Sequence, residues 1–171
     1  IPVLLEQGHR LYCCVRNKGR FEDEHNHERI IPIELDFLDK ATTCSFPIEI
    51  DVAYFLLHSM SSKGDFEEKE LAAAERFLQL ITPTACQQII YLSGIANEQY
   101  LSKHLHSRLA VEKKLSAGIL PLTVLRAGII VGSGSASLEI IRDIVEKIPV
   151  MITPKWLNTP CHPIAVRNVI Q

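Results

Sequence analysis

The chain has 171 residues, 47% of them hydrophobic and 22% charged, with a formal net charge of −2. That length fits one domain with a real core. The near-neutral balance excludes the electrostatic footprint of a nucleic-acid or membrane-surface binder, and no apolar run approaches the ~20 residues of a membrane span.

In chain order, Ile1 to Gln7 reads as the tail of a helix, with Gly8 as its cap. Arg10 to Arg16 reads as a strand, and a turn rich in positive charge (NKGR) follows it. Phe21 to Glu28 is polar and loop-like. Arg29 to Leu35 reads as a second strand, placed at an edge by Pro32. Asp51 to His58 reads as a third, nearly all apolar.

Asp65 and Glu68 form a capping box that opens a helix running to about Ile81. Its expected buried stripe is Leu71, Ala74, Phe77, Leu78 and Ile81. Gln88 to Gly94 is then a strand and Gln99 to Ala117 a helix, with apolar residues at Leu101, Leu105, Leu109, Val111 and Leu115. Gly118 stops that helix, and the run from Pro121 to Gly132 reads as the next strand. Ser135 or Ser137 can cap a last long helix, Leu138 to Ile148, and Val150 to Thr153 reads as a short strand. A loop and a short extended run follow.

Apolar strands alternating with amphipathic helices predict a doubly wound parallel α/β sheet, three layers deep and covered on both faces. Ligands of such sheets bind outside the carboxyl ends of the strands. A dinucleotide fold begins with strand, Gly-rich turn and helix, and neither GxGxxG nor GxxGxxG occurs here. The chain opens inside a helix tail and stops as VRNVIQ turns helical. It therefore reads as one partial domain, residues 1–171, of a longer protein.

The five cysteines (Cys13, Cys14, Cys44, Cys86, Cys161) are odd in number and irregular in spacing. They read as small apolar residues of a reducing compartment, the cytoplasm, and not as a disulfide framework. We read no signal peptide. No metal site is expected: His25 and His27 lie among acids, His104 and His106 cannot both face one ion from a helix, and Cys161-His162 has no partners in the sequence.

The runs HSMSSKGDFEEKELAAAERF, IIYLSGI, LSKHLHSRLAVEKKL, LTVLRAGIIVGSGSAS and VMITPKWLNTPCHPIAVRNV, in that order, resemble the atypical short-chain dehydrogenase/reductases, the NAD(P)-binding group that is NmrA-like and epimerase-like. The resemblance covers nearly the whole chain and is most specific from Leu122 to Val169. It implies a Rossmann domain of strand order 3-2-1-4-5-6, with the first strand and Gly-rich loop upstream of Ile1. That strand would lie between the first and third strands read here, which would otherwise stand about 10 Å apart with unpaired backbone.

Arg16 ends the first strand, where NAD binders carry an acid for the ribose hydroxyls; an arginine suits a 2′-phosphate. Arg16, Lys18 and Arg20 together look like an NADP site, the alternative being a solvated basic turn. By resemblance Asp36 and Phe37 contact the adenine; otherwise they are a helix cap and a core residue. Leu57 and His58 end the third strand, where the cofactor should cross, although such a histidine is often satisfied by backbone.

Conventional members of the family use Tyr, a Lys four later and a Ser. Here His104 stands at the Tyr position and Arg108 at the Lys position. Gly94 or Ile95 stands at the Ser position, with Ser93 close by. His104 can serve as acid or base near neutral pH, and Arg108 can bind ribose or phosphate but is too basic to exchange protons. Alternatively His104, Arg108 and Glu112 are an exposed helix face with a weak Arg108–Glu112 pair. Arg126-Ala127-Gly128 stands where relatives have Arg-Pro-Gly beside the nicotinamide; Arg126 can instead be buried with a carboxylate, and Gly128 lets backbone approach a ligand.

The resemblance thus implies hydride transfer between NADP (or NAD) and an unknown small molecule. The missing Tyr, Lys and Ser equally suit a non-catalytic cofactor-binding sensor. No nucleic-acid or membrane partner is expected.

Overall fold

The computed structural model describes residues 1–21, 27–39, 44–57, 66–95, 102–132, 136–147 and 162–170. Helix α1 (Pro2–Glu6) ends at Gly8, which takes a φ of 89°, the left-handed conformation that glycine adopts without penalty. Strand β1 (Leu11–Val15) follows, then a 3-10 turn over Lys18–Arg20 and strand β2 (Ile30–Glu34). β1 and β2 pair in parallel, with Leu11 opposite Ile30 and Val15 opposite Glu34.

A second parallel sheet holds β3 (Val52–Phe55), β4 (Gln88–Gly94) and β5 (Leu122–Ala127), in that order. Helix α2 (Phe66–Ile81) connects β3 to β4, and α3 (Lys103–Ser116) connects β4 to β5. α2 carries Glu67 and Glu68 in its first turn, where the helix dipole favours negative charge. Asp65, expected to cap it, lies outside the described residues. α3 is capped by Ser102, whose side chain accepts from the Leu105 N–H, so it starts four residues later than its periodicity suggests.

Both helices cover one face of the second sheet. Ala53, Phe55, Ile89 and Tyr91 point into that layer and are buried. They form one core with Ala74, Phe77, Ile81, Val111 and Leu115. Leu35 and Phe37, just after β2, belong to the same core, so it spans both sheets. Phe77 is its aromatic centre, 5.0 Å from Phe55 and 6.4 Å from Phe37 between ring centroids. The other face exposes Val52, Tyr54 and Leu125, so among the described residues cover on both faces is not complete.

Three expectations are corrected. Strand β3 is only four residues long, not eight. The run expected as one strand to Gly132 is two: β5 stops at Ala127 and β6 (Ile130–Val131) pairs in parallel with β7 (Ile164–Ala165) in another sheet. The crossing is at Gly128, where a Cβ would stand 2.3 Å from the His162 carbonyl oxygen; only glycine lets the two backbones pass this closely. The buried stripe of α2 is also rotated: Glu70 and Ala73 are buried while Leu71 and Leu78 are only partly so, because α3 packs on that side.

Helix α4 (Ala136–Lys147) follows β6, and α5 (Val166–Ile170) closes the described chain. Ser137 lies inside α4 and not at its cap; Ser135 and the strand expected over Val150 to Thr153 are outside the described residues. Among the described residues no helix is long and apolar enough to cross a membrane.

Tyr91 is fully buried, and its hydroxyl donates to the Arg108 carbonyl at 3.3 Å. Burial raises its pKa above the ordinary value, partly offset by Arg108 and Ser93. The folded state therefore keeps the phenol neutral. The stability this contributes is present below about pH 10 and is lost as pH rises past the unfolded pKa toward the folded one. Tyr91→Phe should cost about 1 kcal/mol at pH 7 and soften the decline above pH ~10, as read from urea unfolding at both pH values.

Candidate functional site

The carboxyl ends of β1, β2 and β3 converge on a cavity of about 60 Å³. That is room for about two waters, so any larger ligand held here must extend along the open strand ends. Arg16 follows β1 directly. Its Nε lies 3.8 Å from Asp36 Oδ2, and 70% of its side chain is exposed. A pair this exposed contributes little stability, but it holds the guanidinium at the cavity lip. Asp36 Oδ1 accepts from the Leu38 N–H at 2.9 Å and so fixes the turn after β2. Phe37 turns inward and is 91% buried, against Phe77.

Leu57 lines the cavity; Lys18 lies in the exposed 3-10 turn and does not. His58 is outside the described residues. Two lining groups escaped sequence reasoning, Lys69 and Glu70 on α2. Glu70 was detectable in principle: it is the polar member of the apolar spacing Glu70, Ala73, Ala74, Phe77, Ile81. Its carboxylate is buried and accepts from the fully buried Ser107 hydroxyl of α3.

Cys14 also borders the cavity, and Cys44 and Cys86 are likewise free thiols. Cys14 is exposed by surface area, yet partial desolvation of its thiol against the cavity wall, with Cys44 and Cys13 nearby, pushes its pKa up to about 12. On the order of one part in ten thousand is then thiolate at pH 8. Cys14 should be alkylated by iodoacetamide far more slowly than an ordinary exposed thiol at pH 8, and peptide mapping of labelled protein would measure this.

A second cluster surrounds the end of β4. Ser93 is 96% buried, and among the described residues its Oγ has no hydrogen-bond partner within ordinary distance, although the Tyr91 phenol is near enough to feel it. Gly94 packs against α3; a Cβ there would meet Leu105 Cδ2 at 2.8 Å, so a larger residue requires Leu105 to move. His104 is exposed and stacks on Phe66, the first residue of α2, at 4.9 Å between ring centroids. Arg108 donates from Nη1 to the Leu92 carbonyl at 3.1 Å. Glu112 pairs with Arg126 at 2.6 Å across to β5. The i, i+4 partner of Arg108 is thus taken by another arginine. The backbone that approaches Gly128 is that of His162.

The architecture defines a class: a doubly wound parallel α/β fold, with β2-β1 on one side and β3-β4-β5 on the other, and a crevice at the strand carboxyl ends. Solved structures that share it include the following three. The Bordetella bronchiseptica enzyme WbmG, in complex with NAD, superposes with a TM-score of 0.72 at 10% identity, covering 99% of this chain and 61% of that one. UDP-glucuronic acid 4-epimerase from Bacillus cereus, in complex with UDP-glucuronic acid and NAD, has a TM-score of 0.70 at 16% identity over 99% of this chain and 65% of its own. UDP-glucose 4-epimerase from Thermotoga maritima, with UDP-glucose, has a TM-score of 0.69 at 13% identity over the same shares. The chain therefore spans less than two thirds of each. No protein-family model matches the chain, and no curated protein matches it in sequence. The fold is the Rossmann-type fold that the resemblance implied, shared with these solved structures.

Proposed function

We propose that this chain is the greater part of a dinucleotide-binding domain that prefers NADP and serves an oxidoreductase acting on a small carbonyl or quinone-like substrate. The observation that carries this is Arg16: a guanidinium at the carboxyl end of β1, held to the cavity lip by Asp36, in a fold whose solved neighbours were crystallised with NAD.

The residues present fit the adenosine end of such a cofactor. Arg16, with Lys18 and Arg20 in the turn beyond, presents donors for a 2′-phosphate. The Asp36 turn, Phe37 and Leu57 form the apolar and polar edge on which an adenine would rest. The separate β1–β2 and β3–β4–β5 ladders support the expected strand order, in which one further parallel strand joins β1 to β3 and brings a phosphate-binding turn. The cofactor, when bound, supplies hydride. The chain contributes placement from the ends of β4 and β5, through Ser93, Arg126 and Gly128, and a proton held at the exposed His104 imidazole. Free thiols at Cys14, Cys44 and Cys86 suit a cytoplasmic setting.

A second reading, a cofactor-binding sensor that does no redox chemistry, is favoured by one observation. The position of the usual Ser is filled by Gly94 or Ile95, of which Gly94 packs on Leu105, and the Arg108 side chain is bonded to a strand carbonyl. Titration of the full-length protein with NADPH and NADH, by fluorescence or calorimetry, tests the common ground. NADPH bound more tightly than NADH supports the proposal, and turnover against a carbonyl panel then separates enzyme from sensor. Binding of neither would end both readings.

A further inference from the structure

The buried polar groups between α2, α3 and β4 concentrate on a single turn of α3. Ser107 reaches α2, donating to the buried Glu70 carboxylate. Arg108, next in sequence, is held twice against β4. Its backbone carbonyl accepts from the Tyr91 hydroxyl at 3.3 Å, and its Nη1 donates to the Leu92 carbonyl at 3.1 Å. Tyr91 and Ser107 are fully buried, so the two bonds that they make lack competition from water, while the Arg108–Leu92 bond is partly buried. The Leu92 carbonyl lies one residue before Ser93 and two before Gly94, where β4 ends.

We propose that Arg108 is a positioning residue: it anchors the carboxyl end of β4, and with it Ser93 and Gly94, to α3, and it does not itself contact the cofactor. Three observations favour this over a ligand-binding guanidinium. The side chain already donates to a fixed strand carbonyl. Glu112, the carboxylate one turn away that would turn it outward, is paired with Arg126. The residue before it is locked to α2, so the whole turn is held against two elements at once. Arginine suits the task because it is always charged and its planar fork commits one N–H to the carbonyl at little entropic cost.

The binding arm of the test rests on the proposed function; the stability arm does not. Arg108→Met and Arg108→Lys would be made in the full-length protein, and thermal unfolding without ligand would be read beside NADPH and NADH titrations well below the Tm. The expected result for Arg108→Met is a Tm several degrees lower and an affinity for both dinucleotides reduced by the same factor, about threefold to tenfold. Lysine keeps a charged donor that can reach Leu92, and should recover at least half of both losses.

A loss of affinity beyond tenfold with Tm unchanged would mean that Arg108 touches the cofactor, and would overturn the proposal. A lower Tm with affinity unchanged would leave a purely structural role and would overturn it too. So would a lysine variant no better than methionine. If the unaltered protein binds neither dinucleotide, the proposed function falls. The Tm pair then still decides the anchor, which is refuted if methionine leaves Tm unchanged or lysine fails to restore it.

Discussion

Arg16→Ala in the full-length protein should weaken NADPH binding by about tenfold to a hundredfold and leave NADH within about twofold. The factor is the worth of a charged hydrogen bond, about 1.5–3 kcal/mol, expressed as affinity. The difference between the two cofactors arises because only NADPH carries the 2′-phosphate. Asp36 sharpens the test. Its carboxylate lies 3.8 Å from the Arg16 Nε and competes weakly for the guanidinium. Asp36→Asn should therefore leave the NADPH preference in place, whereas Arg16→Ala should remove it. Fluorescence titration of both variants with both dinucleotides reads this directly, and equal losses for NADPH and NADH would sink the phosphate reading.

His104→Phe should reduce turnover by about a hundredfold or more and leave dinucleotide affinity intact. Proton transfer from a positioned side chain is worth roughly 10²–10⁴ in rate. Phenylalanine keeps the aromatic stack on Phe66 while removing both ring nitrogens, so the fold around α2 and α3 should stand. The comparison needs kcat with any substrate the carbonyl panel yields. Unchanged turnover would take His104 out of the chemistry and leave it as an exposed residue stacked between two helix starts.

The strong periodic segments were legible without coordinates. β4 spans Gln88–Gly94 as its composition suggests, and α2 ends at Ile81 as expected. Both are set by local pattern: an apolar run bounded by turn residues, and a 3.6-residue stripe. Arg16 at the end of β1 was legible for the same reason, since a strand end is a local feature. Boundaries were less so. β3 looked eight residues long because DVAYFLLH is nearly all apolar, yet among the described residues β4 pairs with only four of them. β4 itself runs on to Gly94, so its length is not the limit; where β3 leaves the ladder is set by tertiary context, which the strand's own composition does not contain.

The sequence by itself determined the alternation of parallel strands and helices, the strand ends that face one crevice, and the basic turn beside it. These follow from hydrophobic period and from glycine and charge placement, all properties of short windows. Only the tertiary structure decided how each polar side chain is used. Arg108 passes over Glu112 for a strand carbonyl 16 residues away, and Glu112 takes Arg126 from β5. Glu70 is buried because Ser107 comes to it from another helix, and Gly128 marks a backbone crossing with His162, far along the chain. The physical reason is common to the three polar cases. A charged or hydroxyl group has several partners within reach along its own helix, at similar small energies. Which one wins depends on desolvation and on what packing brings alongside, and that is settled only when distant segments meet.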